Sequence, residues 1–452
     1  MTSAQNQSAG FLAGHPKGLA YLSLTELWER FSFYGMQALL TVYMIKQLLL
    51  PSFAEHVWGL AGLRAFFDSV FGPTSNTDFA ALITGFYSGF VYFTPILGGW
   101  IADRLIGAKR TVAIGALLMS AGHMAMTFDR LFLVALLLLI LGSGCLKGNI
   151  SSQVGSLYPA DARSLRDRGF SIYSTGINIG AVTGPLTTGA VAAIWGWHAG
   201  FAVAAGLMLV ALATYLAGQS YLPEAAPRRH EHPDARKFSK SDWRKIIGLV
   251  AVIALTIPAE IAYPMVWSIG IVWADQYVAL GKVPSTWFGS ADSLGSILAA
   301  APLVALWAAQ ARKGREPTSV GKIAIGTGLT GVGALILAAG SMGQAAPHSI
   351  NILWAIAGYF MMGLAWMYYW PTTLSLVSRV APKPVVATMV GGAFVSPFIA
   401  HSIAGVIGTR FDNMSPAAFW TMDAAIGFAG AFVLFLLKGP LNRLIESDPQ
   451  TD

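Results

Sequence analysis

The chain has 452 residues, 55% of them hydrophobic and 11% charged, with a mean hydropathy of +0.58 and a formal net charge of +7. Soluble proteins carry about 25% charged residues, so a soluble globular domain is excluded. Apolar runs of about 20 residues, enough to cross about 30 Å of hydrocarbon as helix, recur throughout, so the expected class is a polytopic all-α membrane protein rather than a barrel of ten-residue alternating strands.

Twelve spans are predicted, at 18–49, 79–99, 108–128, 131–156, 168–194, 198–218, 245–276, 287–310, 320–341, 349–376, 384–409 and 416–437. With both termini cytoplasmic, 22 of the 29 Lys and Arg fall on the inner side, four on the outer side (Arg64, Arg130, Lys282, Arg410) and three within spans (Arg30, Lys46, Lys147). This is the positive-inside bias, so the basic excess reports topology and not a nucleic-acid partner. The first 19 residues lack the apolar core and cleavage site of a signal peptide, so the first span is expected to direct insertion into the inner (plasma) membrane. Cys145 is the single cysteine, which excludes an intramolecular disulfide.

The first span carries Glu26-Leu27-Trp28-Glu29-Arg30-Phe31. An acid or Arg at a helix centre costs about 2.5–3.5 kcal/mol even on the lenient insertion scale. Glu26 lies one helical turn before Arg30, with Glu29 on the same side. Arg keeps its charge, whereas a dehydrated Glu beside another Glu can take a proton near neutral pH. The cluster therefore reads as a proton switch, or else as a static ion pair that fixes packing. The outer segment 50–78 repeats apolar residues at helical spacing and reads as an interfacial helix or a partly ordered loop.

After the second span comes Gly99-Trp100-Ile101-Ala102-Asp103-Arg104-Leu105-Ile106-Gly107. Its expected role is conformational: Gly99 for a tight turn and close helix approach, Asp103 for capping or pairing, Arg104 as a cytoplasmic anchor. Lys147 stands among Gly142, Gly144 and Gly148, which favours an interior position over snorkelling. His123 and His401, alone in their spans, read as satisfied core positions. A hydrophilic segment, 219–244, separates two sets of six spans, giving domains 1–218 and 245–452. His230 and His232 within it read as solvated linker, since no further ligands follow at metal-binding spacing.

The six-plus-six pattern and the Gly-x-x-x-Asp-Arg-x-x-Gly loop resemble the major facilitator fold. Within it, Glu26-Leu-Trp-Glu29-Arg30-Phe31-Ser32-Phe33-Tyr34-Gly35-Met36 is similar to the signature of proton-dependent oligopeptide transporters. Gly169–Ala181 resembles that family's fifth-helix signature, and Lys147 its intramembrane lysine. The resemblance implies a proton–peptide symporter working by alternating access, a monomer with protons as its coupling ion and no cofactor or metal. It implies Glu26, Glu29 and Arg30 as the proton-linked cluster, Arg30 and Lys147 for the substrate carboxylate, and Tyr34, Tyr92 and Asn178 as lining. Arg offers a bidentate fork and Lys a point charge.

The second half departs from that pattern. Where the family has an acid in span 7, Pro264 stands here, and Glu260 one turn earlier is the candidate replacement. Trp366 occupies the place of the span-10 glutamate that meets the peptide amino terminus, and Gln37 that of a basic residue in span 1. Asp292 adds an acid in span 8; it reads either as a substitute ammonium anchor or as a hydrogen-bonded packing residue. Tyr368, Tyr369 and Trp370 read as packing. The competing reading keeps the fold and changes the substrate to an organic anion, a nitrate-like ion or a modified amino acid. An enzyme is not expected: no His-Glu-x-x-His motif or nucleophile–base pair occurs.

Overall fold

The computed structural model describes residues 14–159, 162–223, 238–344 and 346–445. His230 and His232, with most of the expected linker, lie outside them. The described residues form two compact units: those up to Pro73 with Phe90 onward to 223, and Thr74–Gly89 with 238 onward.

In the first unit the helices are α1 (Lys17–Tyr43), α2 (Pro51–Ala54), α3 (Leu60–Phe71), the second part of α4 (Asn76–Ile101), α5 (Ala108–Ala125), α6 (Phe132–Ser156), α7 (Arg163–Trp195) and α8 (Trp197–Gly218). The second unit holds the start of α4, then α9 (Lys240–Met265), α10 (Ile269–Tyr277), α11 (Phe288–Arg312), α12 (Ser319–Ser341), α13 (Ile352–Val380), α14 (Val386–Ala393), α15 (Val395–Gly408) and α16 (Pro416–Ile445). Among the described residues ten helical segments are long and apolar enough to cross a membrane. The two remaining expected spans are the helices α1 and α5.

Lipid tails give apolar helices no reason to prefer each other, so small residues that let backbones approach decide the packing. In the first unit Gly176, Gly180 and Gly184 of α7 lie against the backbone of α1 at Ser23, Leu27 and Phe31. The seam is fastened by Thr188 Oγ1, which donates to Gly35 O at 3.0 Å. Gly98 of α4 sits on the backbone of Gly144 in α6, and Asn149 Nδ2 donates to Gly98 O at 3.2 Å. Gly142 and Gly144 are thus packing glycines, while Gly148 has open space around it.

Segment 50–78 is helical at α3, which opens after Gly59 (φ 78°) and ends at Gly72 (φ 86°). Leu60 and Phe67 face the protein, whereas Trp58, Phe66 and Val70 are exposed. That is the two-sidedness of a helix lying on a membrane surface.

Two of the predicted spans are broken. Span 7 divides into α9 and α10 just after Pro264. Carbonyls freed by such a break need donors where no water reaches. Ser268 Oγ donates to Pro264 O at 3.3 Å, and Tyr359 Oη to Val266 O at 2.7 Å. Span 11 divides into α14 and α15 at Phe394.

Candidate functional site

The face of α1 that carries the acid pair is buried within the first unit. Glu26, Glu29 and Arg30 are 4%, 0% and 6% exposed. Arg30 Nη2 donates to Glu29 Oε1 at 2.6 Å, and its Nε lies 3.1 Å from Glu26 Oε1, the expected i,i+4 contact, and also faces Glu29 Oε2. One guanidinium therefore serves two carboxylates, and Glu26 Oε2 is left without a hydrogen bond among the described residues. Such a group is held only by its neighbours: breaking a buried pair by removing one member costs about 3–5 kcal/mol.

Lys147 reaches the same region from α6. Its Nζ lies 4.4 Å from the Phe33 ring centroid and 5.1 Å from that of Tyr92. Cation–π attraction is worth about 0.5–1 kcal/mol when exposed and about 2 kcal/mol when desolvated, and Lys147 is half-buried. No carboxylate comes within ion-pair reach of it among the described residues, although Glu29, Glu26 and Arg30 all act on it electrostatically. Arg30 stacks over Phe33 (5.3 Å) and Tyr34 (6.0 Å). The Tyr173 hydroxyl, 3.3 Å from Ser151 Oγ, faces the Glu26 carboxylate. Two acids and two cations thus share one aromatic-lined cluster, in which Glu26, Glu29 and Arg30 are buried and Lys147 is half-buried. Its charge is zero when all four are ionised and +1 after one proton is added.

The other first-unit candidates are less closely tied to this cluster. Gln37 is 7% exposed on α1. Asn178 is exposed and hydrogen-bonded to no member of the cluster; it sits about 200° around α7 from Gly176 and Gly180 at 100° per residue, on the side away from α1. Gly99 has open space around it: the close approach falls on Gly98 and the turn on Gly107 (φ 81°). Asp103 and Arg104 are exposed in a π-helical turn, and no side chain caps α5. His123 is fully buried with neither ring nitrogen hydrogen-bonded among the described residues, so it is a core position but not a satisfied one.

In the second unit Asp292 is 1% exposed. Its Oδ2 accepts from Tyr263 Oη at 2.8 Å and from Trp267 Nε1 at 3.0 Å, while Oδ1 has no hydrogen bond among the described residues. Gly363 of α13 packs against the backbone of Asp292 and so brings α13 and α11 close at this height. Glu260 is 3% exposed; its only hydrogen bonds among the described residues are long, from Thr256 (3.5 Å) and Ser396 (3.4 Å). Trp366 is half-buried against the core cluster that includes Tyr369, and Tyr368 and Trp370 lie edge-on to Trp307 and Phe394. Sequence reading overlooked Phe33, Tyr173, Tyr263 and Trp267. It also overlooked Asp423, a fully buried acid with neither oxygen hydrogen-bonded among the described residues.

A family model described as the Major Facilitator Superfamily matches residues 31–405. The chain is 28% identical to a di-/tripeptide transporter of Lactococcus lactis, covering 97% of this chain and 98% of that protein. It is 26% identical to a peptide transporter of Yersinia enterocolitica, covering 99% and 98%. A crystal structure of peptide transporter POT in complex with sulfate superimposes with a TM-score of 0.84 at 23% identity, over 98% of this chain and all of that one.

Proposed function

Because this chain belongs to the Major Facilitator Superfamily, and over its whole length resembles the oligopeptide transporters within it, we propose that it is a proton-coupled symporter importing di- and tripeptides by alternating access. It is a multi-pass membrane protein, and its basic asymmetry supports an inner-membrane location with both termini cytoplasmic. We take it to act as a monomer.

The observation that carries this reading is the convergence of Glu26, Glu29, Arg30 and Lys147. Adding a proton to either acid gives the cluster a net positive charge and loosens the carboxylate's hold on Arg30. A peptide carboxylate then meets an unopposed cation. By linkage, the bound carboxylate in turn favours the proton. Transport coupling needs this reciprocity, since a ligand shifts a conformational equilibrium only through differential affinity. Tyr34 and Tyr92 supply polar tips on aromatic faces for backbone amides, whose unpaired burial costs several kcal/mol.

Uptake of a labelled dipeptide into proteoliposomes tests the proposal. An inward proton gradient should drive accumulation, and collapsing it with an uncoupler should reduce uptake to equilibration. Uptake indifferent to the gradient would contradict proton coupling.

In the second unit we assign Asp292 the substrate ammonium, with Oδ1 as the contacting oxygen and Tyr263 and Trp267 holding the carboxylate in place. Hydrogen bonds to charged groups are worth about 1.5–3 kcal/mol. Asp292→Asn should therefore weaken competition by free-amine peptides about tenfold or more, and leave acetylated peptides unaffected. Equal losses for the two classes would assign Asp292 to packing instead.

One observation favours a second reading. Trp366 stands where the resemblance calls for an acid, and it packs into a core cluster. The same machinery acting on an organic anion, a nitrate-like ion or a modified amino acid would need no amine anchor. Failure of every di- and tripeptide to compete in the proteoliposome panel would favour it.

A further inference from the structure

The second unit contains a cavity of about 820 Å³ that the transport reading does not use. It lies where the end of α11, the start of α12 and the ends of α13 and α16 meet, and its lining includes Lys322, Arg379 and Ser319. Lys322 Nζ is paired with Glu316 Oε1 (2.5 Å) and rests 3.9 Å from the Trp307 ring centroid. Arg379 donates to Ser319 Oγ at 3.1 Å and is bonded to no carboxylate among the described residues. The cavity thus carries one cation in excess. Arg312, Lys313, Arg315, Lys383, Lys438 and Arg443 stand at the same helix ends.

We propose that this cavity binds the phosphate of an anionic phospholipid headgroup, with Arg379 and Lys322 as its cations and Ser319 as a hydroxyl donor. The size suits a headgroup: small-molecule pockets run about 300–1,000 Å³. Basic pockets between membrane helices on the positively charged side take anionic headgroups. The walls favour a lipid over a free phosphate. Val304, which is 60% exposed, and Pro371, also exposed, line the cavity on the side of α11 and α13. An acyl chain can lie against these residues without leaving hydrocarbon.

Native mass spectrometry of the full-length protein, titrated with phosphatidylglycerol or phosphatidylcholine, tests this. The wild type should retain phosphatidylglycerol preferentially. A cation that meets the headgroup contributes about fivefold. Arg379→Gln should therefore lower that preference about fivefold, and Arg379→Gln with Lys322→Gln further. Lys383→Gln, whose side chain is not among the cavity's lining, should leave it unchanged. Equal losses in Arg379→Gln and Lys383→Gln would reduce the effect to general surface charge and overturn the proposal. Displacement of the lipid by soluble glycerophosphate at matching concentration would also overturn it, in favour of a water-soluble phosphate ligand.

Discussion

Glu29→Gln should abolish proton-driven accumulation while leaving exchange intact. The substitution keeps the side chain's shape and its ability to accept from Arg30 Nη2, and it removes one negative charge. With Glu26 ionised against Arg30 and Lys147 the cluster then stands at +1, which is the charge that the wild type reaches only after taking a proton. Binding of a substrate carboxylate is therefore permanently favoured, and no proton needs to accompany it. A one-unit pH gradient is worth about 1.4 kcal/mol per proton, so the wild type carrying one proton per substrate accumulates about tenfold. Under the same gradient the variant should reach a ratio near one, yet still exchange external for internal labelled peptide. Its apparent affinity should also lose its pH dependence across the range where the wild type's affinity falls as protons become scarce. Retained uphill uptake would remove the acid pair from the coupling mechanism. Loss of exchange as well as accumulation would identify it as a static packing pair.

Lys147 makes the sign of that expectation sharper than Glu26 and Arg30 alone allow. Were the cluster only two acids and one cation, Glu29→Gln would merely neutralise it. With Lys147 held on Phe33 and Tyr92 instead of in an ion pair, the same change leaves an excess cation. This fourth member was the less legible part in sequence. The Glu26–Arg30 contact follows from a spacing of four on one helix, and coordinates only had to give its distance. The position of Lys147 depends on how α4 and α6 meet α1, which the local pattern around 147 does not encode. The Asp292 site is similar: its two donors come from α9 and from the break after it, and the break was not foreseen because Pro264 reads from sequence as a mere kink. Gly99 illustrates a different loss. The loop motif was found, but a shift of one residue rotates a helix by 100°, and the close contact belongs to Gly98. Asp423 passed unnoticed because a lone acid in an apolar run carries no pattern at all.

The glycine ladder of α7 was present in plain sight within a stretch read for its polar residues, and it supports the second large expected effect. Gly180→Ala should destabilise the first unit and disable transport. A β-carbon at Gly180 meets the Leu27 carbonyl oxygen, the Phe31 amide nitrogen at 2.8 Å and Arg30 Cβ at 2.9 Å. Two of these are backbone atoms of α1, so no rotamer change relieves the clash, and α7 must move away from the helix that holds the acid pair. Overpacking of this kind costs about 1–3 kcal/mol. Alanine's better helix propensity returns about 1 kcal/mol, and with the contacts on unyielding α1 backbone the cost falls at the high end, for a net loss of up to about 2 kcal/mol. The control is Gly206→Ala on α8, where an added β-carbon meets nothing within 4 Å. There the propensity gain stands alone, and the melting temperature should hold or rise. Thermal unfolding in detergent, read beside dipeptide uptake, compares the two substitutions directly. If Gly180→Ala unfolds no earlier than Gly206→Ala and transports normally, α7 does not press on α1 as closely as these contacts require, and Arg30 is not held in place by that seam.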